Sequence, residues 1–193
     1  MLPGVPVVEK HDLPVHRARA FLEPGSILLV TSCHDGERNV MTMGWHMVLE
    51  FTPSLVGCMI SAGNHSFELI RQSAECVLNL PTLDMLDAVV GIGNCSGRDK
   101  DKFAGFNLDV QAADHIRAPL LTACHANFEC RLADDRMVKD YNLFIFEIVK
   151  AHVAPQPKHP RTLHYTGDGV FVVAGKTVSR RSDFRPELLG NGR

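Results

Sequence analysis

No run of this sequence reaches the ~18 uninterrupted apolar residues that a membrane helix needs, so no transmembrane helix is expected. The first eleven residues carry prolines and an early acid, where a secretory signal would place a basic segment and a long apolar run. None of the six cysteines (Cys33, Cys58, Cys76, Cys95, Cys124, Cys130) forms a C-x-x-C pair. That scatter argues for reduced thiols over a disulfide framework, and it offers no spacing for a structural zinc site; no metal is expected, and cytoplasm is the expected compartment. Net charge is nearly absent as well: 20 basic against 22 acidic residues leave −2, which gives no global reason to expect nucleic acid as a partner. The chain has no G-x-G-x-x-G after a strand, no G-x-x-x-x-G-K-[ST], no H-E-x-x-H and no G-x-S-x-G. Those absences remove a Rossmann nucleotide site, a nucleotide triphosphatase loop, a zinc protease and a serine hydrolase elbow. No residue is singled out as catalytic.

What the chain does have is ordinary material for a core. At 193 residues and 45% hydrophobic content it fits a single domain, 1–193, with a core at about 20–175, an N-terminal arm and a less ordered tail from about Ser182. Short apolar runs at 26–32, 55–61 and 76–80 lie between turn residues and read as strands, with 39–46 returning after Asp35-Gly36. Helical spacing is expected at 66–72, where Ser66 is a good N-cap residue, and at 82–91. Strands follow at 126–132, 141–153 and 170–173, the last entered through the turn Gly167-Asp168-Gly169 within 161–173. Many short strands with few helices predict a mainly β antiparallel barrel or sandwich.

Three segments offer chemistry. In 39–45, strand alternation puts Asn39, Met41, Met43 and Trp45 on one face; taken alone, the segment reads as a barrel strand with Trp45 as a core anchor. At 64–70 the start of a short helix offers N–H groups and a positive dipole end to an anion. The stretch 95–103 supplies a hydroxyl, a backbone N–H and the cations Arg98, Lys100 and Lys102 within one loop, which are the groups a phosphate needs. The adjacent pairs Cys33-His34 and Cys124-His125 would point to opposite faces of a strand, which does not suit a metal.

In order along the chain these are N-x-x-T-x-x-W (Asn39, Thr42, Trp45), S-x-E-x-I (Ser66, Glu68, Ile70) and S-G-x-x-x-D-K-F (Ser96, Gly97, Asp101, Lys102, Phe103). With Ala118-Pro119, Phe128-Glu129-Cys130 and the stretch 140–148, this order resembles the flavin reductase-like family over roughly residues 20 to 175. The resemblance implies an FMN-binding split β-barrel with a few short helices, acting as a homodimer with flavin sites near the subunit interface. It implies that Asn39, Thr42, Met43, Gly44 and Trp45 sit at the flavin ring or ribityl chain. Ser66 takes the place of a Ser or Thr near the phosphate, and Ser96, Gly97 and Lys102 help hold that phosphate. Tyr141 stands where many relatives carry histidine, and Phe146 where they carry glycine; a tyrosine there still offers a hydrogen bond or a stacking face.

Three function classes follow from the resemblance. One is an oxidoreductase that takes hydride from NADH or NADPH onto bound flavin and passes electrons to free flavin or another acceptor. A second is a flavoredoxin-type electron carrier with tightly held FMN, reduced by a redox protein partner. The third is a non-enzymatic dimeric module that has lost its flavin, against which Asn39, Trp45 and Lys102 speak. Nicotinamide binding has no short motif here, so the first two stay open.

Overall fold

The computed structural model of the chain describes residues 25–183 and Arg185, so the expected N-terminal arm and most of the expected tail lie outside the described residues. The chain forms β1 (Leu28–His34), β2 (Glu37–Met43), β3 (His46–Phe51), β4 (Ser54–Met59), helix α1 (His65–Ser73) and β5 (Glu75–Leu80). A 3-10 turn (Leu83–Met85) leads into α2 (Leu86–Gly93), followed by α3 (Lys102–Gly105), β6 (Val110–Gln111) and β7 (Leu120–Leu121). Then come β8 (Ala126–Asp134), α4 (Val138–Tyr141), β9 (Leu143–Val153) and the hairpin β10 (Leu163–Gly167) with β11 (Val170–Val173).

Seven strands form one sheet in the order β2-β1-β5-β8-β9-β4-β3, antiparallel at every pairing. The two edge strands, β2 and β3, are neighbours in sequence, with only Gly44 and Trp45 between them. Laid flat, six inter-strand steps would part them by about 29 Å. The two-residue link spans at most ~11 Å. The sheet must therefore curl until its edges converge at that corner. Because β2 and β3 do not pair, the barrel stays split along their seam.

Local chemistry accounts for the main elements. Asp35 (φ 49°) and Gly36 (φ 82°) both adopt left-handed geometry, the two-residue turn that matches strand twist and closes β1 onto β2. Residues 27–30 are apolar without alternation because the chain there is covered on both faces. Val30 joins Met41, Met43, Cys58, Phe144 and Phe146 inside the barrel, whereas Leu29 joins Val40, Val89, Ile92, Phe103 and Leu163 outside it. None of the six cysteines is in a disulfide.

Four local expectations need correction. The return strand stops at Met43 instead of His46, since the chain turns the barrel corner at Gly44 and Trp45. Trp45 is no core anchor: it is 52% exposed at that corner. Residues 138–141 form a helical turn, ended by Asn142 in left-handed geometry (φ 56°), so the last long strand starts at Leu143. Ser66 is not the N-cap of α1; Asn64 holds that position, and Ser66 lies fully buried in the helix's first turn.

A buried carboxylate fastens the loop before β7. Glu129 on β8 accepts the backbone N–H of Asp114 (2.9 Å) and of His115 (2.7 Å), and it pairs with Nε2 of His152 on β9 (2.7 Å). Burial alone would raise the Glu129 pKa, but the hydrogen bonds from His152, Asp114 and His115 and the His152 charge together hold it below its usual value. Asp114, Glu129 and His152 also form a group whose ligand atoms lie within 4.8 Å of one another. Each Glu129 oxygen there already accepts a hydrogen bond, and Lys150 Nζ stands 3.6 Å from Asp114, so the group is built as a clasp.

Candidate functional site

The seam of the barrel is lined by a trough with a polar end and an apolar end. The polar end is a pocket of about 230 Å³ where β2, the start of α1 and the loop between α2 and α3 meet. Asn39, His65, Cys95, Ser96, Gly97 and Lys102 line it. It shares Met41 and Asn64 with a second pocket of about 370 Å³ along Met41, Thr42, Met43, Gly44 and Trp45, closed by Met59, Ser61 and Asn142. That pocket shares Gly44, Trp45 and Met59 with a third of about 420 Å³, where Met47, Met137, Tyr141 and Leu143 add an apolar wall. Together the three make one channel at the edge of β2. That strand pairs only with β1 among the described residues, leaving its outer backbone edge open to hydrogen bonding.

Lys102 is the unusual group at the polar end. It is only 5% exposed, and its Nζ donates to the carbonyl of Ile92 in α2 at 2.9 Å. Burial presses its ammonium below the ordinary lysine range, with the nearby Cys95 sulfur opposing. An ammonium has three donors, and a buried cation with one donor spent on a carbonyl is a strong site for an anion. Its position is set locally: the Asp101 carboxylate accepts from the N–H groups of Phe103 (2.9 Å) and Ala104 (3.3 Å), starting α3 at Lys102. Phe103 then enters the outer core under the Arg38 guanidinium, 4.5 Å from its ring centre.

Beside Lys102 the backbone of Gly97 presses on β2. A Cβ at Gly97 would lie 2.1 Å from Oδ1 of Asn39 and 2.9 Å from Cδ2 of His65, so no side chain fits without displacing one of them. Asn39 is itself held from behind: its Nδ2 donates to Ser66 Oγ (2.9 Å), which also accepts from Ser32 Oγ (3.2 Å). His65 Nε2 lies 2.7 Å from Glu37 Oε1. Arg98 joins the two rims, donating from Nη1 to the Gly63 carbonyl at 3.2 Å, while its N–H reaches Ser96 Oγ at 3.2 Å.

The ten residues singled out by sequence fall into four places. Asn39, Ser96, Gly97 and Lys102 meet at the polar end. Met43, Gly44 and Trp45 line the middle, and Tyr141 stands at the apolar end. Thr42 also borders the middle, but its hydroxyl donates to the Val89 carbonyl at 2.7 Å, towards α2. Ser66 is buried behind Asn39. Sequence reasoning passed over Met59, Ser61, Asn64, His65, Met137 and Asn142, which also line the trough. Asn64 and His65 adjoin Ser66 and were within reach; the others approach only through the closure of the barrel. The donor set at the polar end fits a phosphate-like anion, and the apolar, methionine-rich end fits a flat ring system.

Comparison with known proteins sharpens this. Residues 21–174 match the family described as flavin reductase like domain. An uncharacterised protein of Pyrococcus abyssi is 33% identical over 129 residues, which span 67% of this chain and 74% of that one. The uncharacterised protein YddH of Escherichia coli K12 is 28% identical over 181 residues, 86% of this chain and 96% of its own. An uncharacterised protein of Archaeoglobus fulgidus is 32% identical over 111 residues, covering 58% of this chain and 63% of that relative. Among solved structures, an FMN-binding domain of a flavin reductases-like enzyme from Shewanella baltica superposes with TM-score 0.74 at 25% identity, over 86% of this chain and 95% of its own. A flavoredoxin from Methanosarcina acetivorans gives 0.76 at 21% identity, over 90% and 96%. These likenesses agree with the mainly β split barrel derived from the strand order.

Proposed function

This chain belongs to the flavin reductase-like family, and on that premise we propose that it binds FMN in the trough and acts as an oxidoreductase fed by NADH or NADPH. The observation that carries the reading is the buried Lys102 ammonium at the polar end of a channel whose other end is apolar. Lys102 binds the phosphate through charge-assisted hydrogen bonds, helped by the Ser96 hydroxyl and the backbone at Gly97. Ser66 acts through Asn39, keeping its amide against the Gly97 turn. The open edge of β2 at 41–44 offers N–H and C=O groups to the polar rim of the ring, while Met43, Trp45 and Met59 exclude water from its apolar part. Bound flavin supplies the two-electron chemistry, and the protein's contribution is to hold and orient it.

The exposure of β3 on both its faces supports a homodimer. Met47, Val48, Leu49 and Phe51 are all exposed on an edge strand bordering the trough, an arrangement that a second copy would cover. Tyr141 and Trp45 would then lie near that interface.

Trp45 is the single tryptophan of the chain and lines the trough, so bound flavin should quench its fluorescence. Titration with FMN is expected to give saturable quenching and a yellow protein, which NADH or NADPH then bleaches without oxygen. No quenching on FMN addition would refute the cofactor. A yellow protein left unbleached by both nicotinamides would refute the reductase assignment and favour a protein electron donor.

A further inference from the structure

Methionine is concentrated on the trough. The chain has seven methionines, of which Met1 lies outside the described residues. Five of the other six, Met41, Met43, Met47, Met59 and Met137, line the trough. The sixth, Met85, packs in the outer core, its sulfur 3.7 Å from that of Cys124. Burial divides the group: Met41, Met43 and Met85 are buried, whereas Met47, Met59 and Met137 are exposed and all line the apolar end. Met47 belongs to β3, which the proposed homodimer would cover; that leaves Met59, 39% exposed, and Met137, 41% exposed. Met59 ends β4, and its N–H donates to the Trp45 carbonyl at 2.9 Å, which pins it beside the barrel corner. Met137 precedes α4, and its carbonyl accepts the Tyr141 N–H at 3.0 Å.

Thioethers in such a wall are open to oxidation by a hydroperoxide. An S–O bond forms, the O–O bond breaks, and the proton of the transferred hydroxyl leaves with the departing hydroxide as water. Sulfur loses two electrons and the peroxide gains them. Hydrogen peroxide forms where reduced flavin gives its two electrons to dioxygen, so a flavin trough meets this oxidant at close range. The product is an apolar side chain turned polar. Its sulfoxide oxygen is an acceptor that a flat ring laid against it would strip of water. The wall offers little in return: the His46 ring already meets the Ser26 carbonyl at 2.7 Å, and no Lys or Arg lines this pocket.

We propose that Met59 and Met137 are a modification site: a hydroperoxide converts them to sulfoxides, and the polar wall so formed lowers the affinity of the trough for the flavin ring. The effect on affinity rests on the trough being the flavin site. The phosphate end is untouched, so FMN and riboflavin should lose affinity by the same factor.

In the test, the full chain, freed of flavin, is treated with hydrogen peroxide and then with dithiothreitol to restore its thiols. Sulfoxides are mapped by peptide mass spectrometry, and FMN and riboflavin are titrated by calorimetry before and after. Met59 and Met137 should be oxidised ahead of Met41, Met43 and Met85, and both flavins should then bind at least about tenfold more weakly. Methionine sulfoxide reductases acting on both sulfur epimers should restore the affinity. Met59→Leu with Met137→Leu should stay within about twofold of its own untreated affinity after the same treatment; should that variant fold poorly, the reductase reversal still decides. Oxidation of the buried methionines at the same rate, or sulfoxides at both positions with unchanged affinity, would overturn the proposal. A loss confined to FMN would put the lesion at the polar end, where Cys95 lies, and would overturn it as well. A protein that binds neither flavin before treatment would refute the flavin reading and the effect on affinity together, while the sulfoxide map would still decide the site.

Discussion

Lys102 is a cation held almost out of water, and its burial has a pH signature. Because burial lowers its pKa, the free protein surrenders that charge at lower pH than an ordinary lysine would, and a neutral amine binds a phosphate dianion weakly. FMN affinity is therefore expected to fall as pH rises into the alkaline range, whereas riboflavin, which lacks the phosphate, should bind with little change there. Parallel titrations from pH 7 to 10 measure this, and an FMN affinity flat across that range would contradict it. At this scale the sequence was readable where a residue's task is local. The loop 96–103 places a hydroxyl, a glycine and a lysine in order, and the structure brings Ser96, Gly97 and Lys102 to the lining of one pocket. It was unreadable where the task depends on a distant partner. Ser66 looks like a cap and instead sits behind Asn39, 27 residues away; Trp45 looks like a core anchor and instead faces the seam.

Among the elements, the 112–117 loop shows most clearly how one side chain organises a segment. The Glu129 carboxylate is fully buried and ties two backbone N–H groups of that loop and His152 of β9 to β8. Its folded pKa lies below its usual value, so its contribution is complete above the ordinary glutamate range near ~4.3 and is lost as pH falls through the lowered folded value. Glu129→Gln should lower stability by about 1–3 kcal/mol at pH 7, by leaving one donor opposite an amide NH₂ and removing the charge. Denaturation at pH 7 and pH 3 checks this: the gap between parent and variant should shrink on acidification, and a gap that grew would contradict it. Longer strands were legible because alternation and turn residues bracket them, as Asp35-Gly36 brackets β1 and β2. The two-residue strands β6 and β7 were not, since Val110–Gln111 and Leu120–Leu121 are too short to carry a period and exist only as a pair. The turn α4 escaped too, because its end rests on a non-glycine residue, Asn142, in left-handed geometry.

For the molecule as a whole, the sheet order decides what the barrel is for. The mainly β class followed from the many short strand runs and the turns between them, but the convergence of β2 and β3 at Gly44 and Trp45 depends on pairings between distant strands that no local pattern encodes. That convergence opens one strand edge to the trough and leaves β3 apolar and uncovered, with Val48 71% and Phe51 85% exposed. If the proposed homodimer forms across β3, the parent should sediment as a dimer and the double substitution Val48→Asp with Phe51→Asp as a monomer; a parent that sediments as a monomer, or a variant that stays dimeric, would contradict that interface. The central claim, that Lys102 and its neighbours form a phosphate site at the end of a flavin channel, is tested most directly by titrating FMN and riboflavin side by side into the parent and into Lys102→Met. A charge-assisted hydrogen bond of about 1.5–3 kcal/mol predicts that the parent prefers FMN by about 10–100-fold and that the substitution removes most of that preference while leaving riboflavin affinity nearly unchanged. Equal affinity of the parent for the two flavins, or a preference for FMN that survives the loss of Lys102, would contradict the account.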